Sequence, residues 1–221
     1  MDESKFYGLF FKGDFDNYYL GHQAEEIFKS RLYAPFLEQK ADATVLDIGG
    51  NIGMFSLYAS KYAKQVYTLE PSKDQFETIQ KMVEFNGLKN VKPINKAIYI
   101  DNATYAFHHN TNKTMYSLHQ AVADGSSAPE QVEAISLDKL FEDEGITHVD
   151  LMKLDIEGSE IEVLSSAGFR KVADKIDVVV TERHAWAGRN PNQLDEALKI
   201  NGFTVHTVPN DADIVIGVRG G

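Results

Sequence analysis

The stretch Val45 to Gly53, V-L-D-I-G-G-N-I-G, constrains this chain more than any other. Val45, Leu46 and Ile48 end a buried strand, and two glycines follow at once. Phe55, Tyr58, Ala59 and Tyr62 then share one face at helical spacing. The pattern is a strand that turns sharply through glycine into a helix. Gly49 and Gly50 have no side chain to hold a ligand off, so the backbone can approach one closely. A dinucleotide-binding turn needs glycine at its first, third and sixth positions. The matching register here holds Asp47, Gly49 and Ile52, which is wrong for that ligand. A carboxylate at the strand end repels a pyrophosphate and suits a ligand with an ammonium or sulfonium group.

S-adenosylmethionine carries both groups. Val66 to Leu69 form a second short apolar strand, which ends in Glu70. In nucleoside-binding α/β folds an acidic residue there accepts hydrogen bonds from the ribose hydroxyls. The pair of motifs, D-x-G-x-N-x-G and then V-Y-T-L-E, resembles the glycine turn and acidic ribose loop of class I methyltransferases. The resemblance implies cofactor contacts from Asp47, Gly49, Asn51 and Gly53, and from Glu70 and Pro71.

Composition narrows the classes. With 221 residues the chain suits one domain with a full core. Its 43% hydrophobic and 25% charged residues are ordinary for a soluble protein, and no apolar run reaches membrane-span length. The N-terminus M-D-E-S-K lacks the pattern of a secretory signal. Cysteine is absent, which excludes disulfides, thiolate metal sites and a cysteine nucleophile, and fits a cytoplasmic location. A formal net charge of −11 and the lack of a Lys/Arg cluster argue against nucleic acid as a partner.

Taken in order, residues 1–40 are an aromatic-rich preamble, with a helix expected over Ala24 to Phe36. It caps one end of a sheet or forms a lid, in which case Tyr18, Tyr19, His22 or Gln23 would touch ligand. Residues 41–221 form the main domain. Ser72 and Gln75 make a capping-box pattern for a helix that Asn86-Gly87 ends. Val91 to Ile94 is a third strand, followed by Asn95, Lys96 and Ala97. In the resembling fold that turn lies beside the adenine ring; a plain continuation of the strand explains it equally well. Residues 103–136 alternate at both ends, as in Tyr105, Phe107, Val132 and Ala134, and predict an added β-hairpin. His108, His109 and His119 in its loop match no ligand spacing, which favours a solvated or substrate-facing loop. Val149 to Leu154 and Asp177 to Val180 are the fourth and fifth strands. Between them Ser159 and Glu162 suggest a capped helix that Gly168 ends, and Asn190-Pro191 opens another. Phe203 to Val208 and Asp213 to Val218 close the chain. The expected fold is α/β: a doubly wound, mostly parallel seven-stranded sheet with helices on both faces and the hairpin between strands three and four. Such sheets bind ligands beyond the carboxyl ends of their strands.

Three blocks then carry a closer likeness: V-L-D-I-G-G-N-I-G, S-L-D-K-L and V-D-L-M-K-L-D-I-E-G-S-E. Together they resemble the FkbM methyltransferase family, over about residues 43–184, and the K-x-D-x-E-G-x-E pattern is the most distinctive part. The resemblance implies methyl transfer from S-adenosylmethionine, leaving S-adenosylhomocysteine, usually to an oxygen of a small molecule or sugar. D-I-E-G at the fourth strand end lacks the prolines and aromatic with which amino methyltransferases receive a flipped base. Asp155 at that end joins the expected cofactor residues. An alcohol acceptor must also lose its proton, and His184 after the fifth strand is the first candidate base. Glu182 shares its face if the strand continues, and Glu157 is the second candidate. Lys153, Asp155 and Glu157 are equally readable as an internal salt bridge that shapes the turn. Asp155, Glu157, Glu182 and His184 offer hard ligands suited to Mg²⁺, although a metal site is not the expectation. The other readings are an RNA or protein methyltransferase on the same fold, or a cofactor-binding module without catalysis.

Overall fold

A computed structural model describes residues 27, 31–40, 42–109, 117–118, 128–188, 190, 192–209 and 211–220. Ten strands are described: β1 (Ala43–Ile48), β2 (Ala63–Leu69), β3 (Val91–Ile94), β4 (Ala97–Ile98), β5 (Thr104–Phe107), β6 (Glu130–Ile135), β7 (Val149–Leu154), β8 (Ile176–Glu182), β9 (Phe203–Val208) and β10 (Asp211–Arg219). Seven of them form one sheet in the order β3-β2-β1-β7-β8-β10-β9. Neighbours from β3 to β8 run parallel, while β10 is antiparallel to both β8 and β9. The order reverses at β1, which places the switch point between β1 and β7.

Both faces of the sheet are covered, as runs such as V-L-D-I and L-M-K-L require. Leu46, Ile48, Met152, Leu154 and Val179 point to one face. There they meet α4 (Leu137–Glu144), α5 (Glu160–Ser165), α6 (Ala167–Val172) and α7 (Asn192–Ile200). Val45, Leu151 and Val178 point to the other, against α1 (Ala34–Leu37) and α2 (Met54–Ala59). All six residues of α2 are buried. Tyr33 packs on Phe55 with ring centroids 4.4 Å apart. Burying an aromatic of this size contributes about 1.5–3 kcal/mol. Helix α3 (Lys73–Phe85) adds Ile79 and Met82 to a smaller cluster with Leu57.

Several local expectations need correction. Ser72 stands at the N-cap of α3, but its side chain makes no cap bond; Glu70 accepts from the Ser72 N–H instead, at 2.8 Å. Ser159 precedes α5 without capping it. Gly168 does not end that helix but lies inside α6, which Ser166 restarts by accepting from Phe169 N at 3.0 Å. The stretch after β3 makes a three-stranded sheet, β4-β6-β5, in which β5 and β6 are antiparallel and β4 is parallel to β6. Of the preamble, Ile27 and Tyr33 to Leu37 contribute to the core, whereas Tyr18, Tyr19, His22 and Gln23 fall outside the described residues. Among the described residues no helix is long and apolar enough to cross a membrane.

Candidate active site

The β1–α2 turn is pinned from both sides. Leu69 O accepts from both Gly49 N and Gly50 N, at 3.1 and 2.9 Å, and Ile48 O accepts from Asp155 N at 3.1 Å. Gly49 (φ +81°) and Gly53 (φ +89°) are left-handed, and so is Asn51 at +51°. A Cβ on Gly49 would run into the Asp155 carbonyl, and one on Gly50 would meet Thr68 Oγ1. The glycines are therefore needed because the turn packs onto neighbouring strand ends.

Strand parity decides what Asp47 does. It points with Val45 toward the α2 face, since i and i+2 share a side. Its register partner across the parallel ladder is Lys153, which points the same way with Leu151. Asp47 is fully buried; its Oδ2 accepts from Ser56 Oγ at 2.6 Å and Thr68 Oγ1 at 3.3 Å. Lys153 Nζ lies 3.9 Å from Asp47 Oδ1, donates to Gly49 O at 3.2 Å, and to Asp155 Oδ2 at 3.1 Å. Burial raises the Asp47 pKa and the Lys153 charge opposes the rise. Burial would lower the Lys153 pKa, but Asp155 and Asp47 outweigh it and hold it above the ordinary value. Lys153 thus places a cation 3.9 Å from Asp47 within the chain itself. The internal salt-bridge reading holds for Lys153 and Asp155.

Glu70 ends β2 with 3% exposure. Its two carboxylate oxygens accept from Asn51 N and Ser72 N, each at 2.8 Å. Each oxygen keeps a further lone-pair site for a hydroxyl donor. Asn95 Nδ2 donates to Glu70 O at 2.8 Å and Pro71 O at 2.9 Å, so it staples the loop that carries Glu70. Lys96 reaches Glu133 at 3.3 Å, and Ala97 is buried in the β4-β6-β5 cluster.

Burial pushes the Glu70 carboxyl up to about 8, against the pull of the Ser72 and Asn51 amides. The unfolded chain releases this proton near the ordinary 4.5, so the folded state holds more protons between those values. The contribution is full below the unfolded pKa and fades as pH rises through about 8. Glu70→Ala should therefore flatten the decline of stability between pH 5 and pH 9, a difference on the order of 1–4 kcal/mol. Urea unfolding of parent and variant across that range measures it; parallel curves would remove Glu70 as the source.

A second group stands at the ends of β7 and β8. His184 Nε2 lies 3.4 Å from Glu157 Oε2 and 3.8 Å from Asp155 Oδ1. On the opposite edge, His184 Nδ1 is 3.1 Å from Glu160 Oε1 without the alignment of a hydrogen bond. Glu160 itself accepts from Ile156 N at 2.8 Å and Gly158 N at 3.0 Å, closing the turn that carries Glu157. Glu157 is left-handed at φ +54°, and Ser117 Oγ donates to its carbonyl at 2.5 Å. Burial and the Asp155 charge push the Glu157 carboxyl up to about 8. Burial alone would lower the His184 pKa, but Glu160, Asp155 and Glu157 lift it to about 10. Burial pushes Asp155 up, yet Lys153 and His184 hold it below the ordinary value. In these surroundings His184 carries a proton at neutral pH, so the simple picture of a neutral imidazole titrating near 6 to 7 does not apply.

The structure thus gathers Asp155, Glu157 and His184, with Lys153 linking them to Asp47 and Gly49. Glu182 ends β8 half-buried, near enough to raise the Glu157 pKa further. His108 and His109 lie outside this group: His109 pairs with Glu130 at 3.3 Å, and His119 is outside the described residues. Lys153 and Glu160 were not singled out as working residues beforehand. The signal was present as the first and last members of K-x-D-x-E-G-x-E.

Strand order, the glycine turn at the switch point and the acids at four strand ends define a class I methyltransferase fold. Residues 47–205 match the methyltransferase FkbM domain, and the chain belongs to that family of methyltransferases. It is 29% identical over 188 residues to Methyltransferase 1 of Beauveria bassiana, covering 72% of this chain and 71% of that protein. It is 26% identical over 187 residues to the hexuronic acid methyltransferase AglP of Haloferax volcanii, covering 82% and 73%. The crystal structure of methyltransferase FkbM from Methylobacillus flagellatus shares the fold, with a TM-score of 0.57 at 15% identity. That match covers 89% of this chain, which spans only 47% of the other.

Proposed function

We propose that this chain methylates an oxygen of a small molecule or sugar with S-adenosylmethionine as donor. One observation carries the reading: a carboxylate–imidazole group stands directly beside the glycine turn, joined to it by Lys153 through Gly49 O and Asp155. The donor set fits the cofactor, because Glu70 offers paired acceptors to a ribose diol beside a turn held at the sheet's switch point. When bound, S-adenosylmethionine supplies an electrophilic methyl on a sulfonium. Most of the acceleration then comes from holding the acceptor oxygen in line with that methyl. As the new carbon–oxygen bond forms, the acceptor's proton passes to the Asp155–Glu157–His184 group. Glu157, raised to about 8, offers the acceptor atom once it has ionised above that pH, and the His184 imidazolium beside it steadies the developing negative charge. The hexuronic acid acted on by the Haloferax volcanii relative makes uronic acids the first acceptors to try.

The test is a pair of substitutions. Measured at about pH 9, where Glu70 is ionised, Glu70→Ala should weaken S-adenosylhomocysteine binding by about 1.5–3 kcal/mol, the scale of charge-assisted hydrogen bonds, with the fold retained. Asp138→Ala, which loses only bonds to Lys171 and Ser136, should bind like the parent. Calorimetry in which both variants match the parent would remove Glu70 as the ribose ligand. Methylation of a uronic acid or neutral sugar, followed by mass spectrometry with labelled donor, tests the acceptor class.

A further inference from the structure

The Asp155–Glu157–His184 group has a geometry that proton chemistry alone does not explain. His184 is a side chain with only 6% exposure whose Nε2 points between two carboxylate oxygens. At 3.4 and 3.8 Å both are beyond ordinary hydrogen-bond distance. Three ligand atoms, one from each residue, lie within 4.8 Å of one another. Neighbouring ligands around a six-coordinate cation with bonds of about 2.1–2.4 Å stand roughly 3.0–3.4 Å apart. The two edges at His184 Nε2, 3.4 and 3.8 Å, stand at and just beyond that spacing.

The surroundings hold these atoms in place. Lys153 takes Asp155 Oδ2 and leaves Oδ1 toward His184. Glu160 ties down the backbone of the turn that carries Glu157 and sits against the far edge of the imidazole. A metal-binding histidine is commonly oriented by donating its second ring N–H to a carboxylate, and Glu160 stands 3.1 Å from Nδ1, where a small ring rotation would make that bond. We propose that Asp155, Glu157 and His184 form a facial site for one divalent cation. Its binding displaces the proton that His184 carries without it. An imidazole with two carboxylates suits a six-coordinate first-row ion, Mn²⁺ above Mg²⁺. Three positions remain for water or for oxygens of the acceptor, so an acceptor with adjacent oxygens would chelate there. That last consequence rests on the proposed methyl acceptor; cation binding does not.

A similar trio, His148, Asp150 and Asp177, lies at the opposite end of the same strands. There Lys40 already occupies the carboxylates, at 2.7 Å from Asp150 and 3.4 Å from Asp177. It serves as the control. The full chain, stripped with chelator and dialysed, is titrated with MnCl₂ by calorimetry and by electron paramagnetic resonance. One Mn²⁺ per chain is expected. His184→Ala and Glu157→Gln should each weaken it by at least about 10–100-fold, and Asp150→Asn should leave it unchanged. S-adenosylhomocysteine binding, measured on the same samples, shows that the variants are folded. No stoichiometric Mn²⁺ binding by the parent at millimolar metal overturns the proposal, as does binding undiminished in both site variants. If S-adenosylhomocysteine binds and Mn²⁺ does not, only the cation site fails. If Mn²⁺ binds and S-adenosylhomocysteine does not, the cofactor reading fails and the cation site stands.

Discussion

Lys153→Ala is expected to cost about 3–5 kcal/mol of stability, the scale for breaking a buried ion pair from one side. The lysine is 7% exposed and lies between two carboxylates, Asp47 at 3.9 Å and Asp155 at 3.1 Å. Removing it leaves Asp47 without exposure and without a cation, with Oδ1 unbonded among the described residues. It also removes the donor to Gly49 O that links the two strand ends. Urea unfolding gives the stability, and S-adenosylhomocysteine titration reports the turn. A double variant, Lys153→Met with Asp47→Asn, should recover much of the loss, because neither residue then leaves a charge buried alone. If Lys153→Ala unfolds at the parent's urea concentration, the ion pair is not what holds this turn.

Gly49→Ala is expected to be as damaging, by a different route. At φ +81° an alanine costs roughly 1–2 kcal/mol on backbone grounds alone. Its methyl would also strike the Asp155 carbonyl, a main-chain atom just past the end of β7 that cannot swing aside. The β1 and β7 ends must then part, which breaks the Asp155 N to Ile48 O bond and moves the cofactor turn. Gly145→Ala isolates the second contribution. Its φ is +63°, but nothing lies within 4 Å of the added carbon. Gly145→Ala should cost about 1 kcal/mol and leave cofactor binding intact. Gly49→Ala should exceed it by at least about 2 kcal/mol and abolish measurable binding. Equal costs for the two alanines would show that the strand ends yield more readily than the geometry indicates.

The sheet was legible because its strands are buried on both faces and announce themselves as short apolar runs. V-L-D-I, V-Y-T-L and V-D-L-M-K-L each end where the strand ends, and D-V-V-V lies inside β8, which runs two residues further to Glu182. A helix end was legible where backbone geometry demands glycine, as at Gly87. Helix ends were misread where a side-chain bond was inferred from spacing alone. Ser72 and Ser159 have the right neighbours for a cap, yet neither side chain makes the cap bond, and Glu70 and Glu160 instead bind amides of the turns that precede their helices.

The candidate site divides along the same line. The order of residues along each strand placed Glu70, Asp155, Glu157 and His184 at the carboxyl edge, and family motifs named the chemistry. Period-two alternation even implies that Asp47 and Val45 share a face. What sequence could not supply was register between strands far apart in the chain. Only the β1–β7 ladder sets Lys153 opposite Asp47, which gives that carboxylate a buried cationic neighbour. Only the packing of the β7 and β8 ends brings an imidazole within 3.8 Å of two acids and lifts it to about 10. Local pattern determines which residues reach an edge, since it depends on neighbours along one strand. Distance and desolvation across strands determine their charge, and those exist only once the sheet has closed.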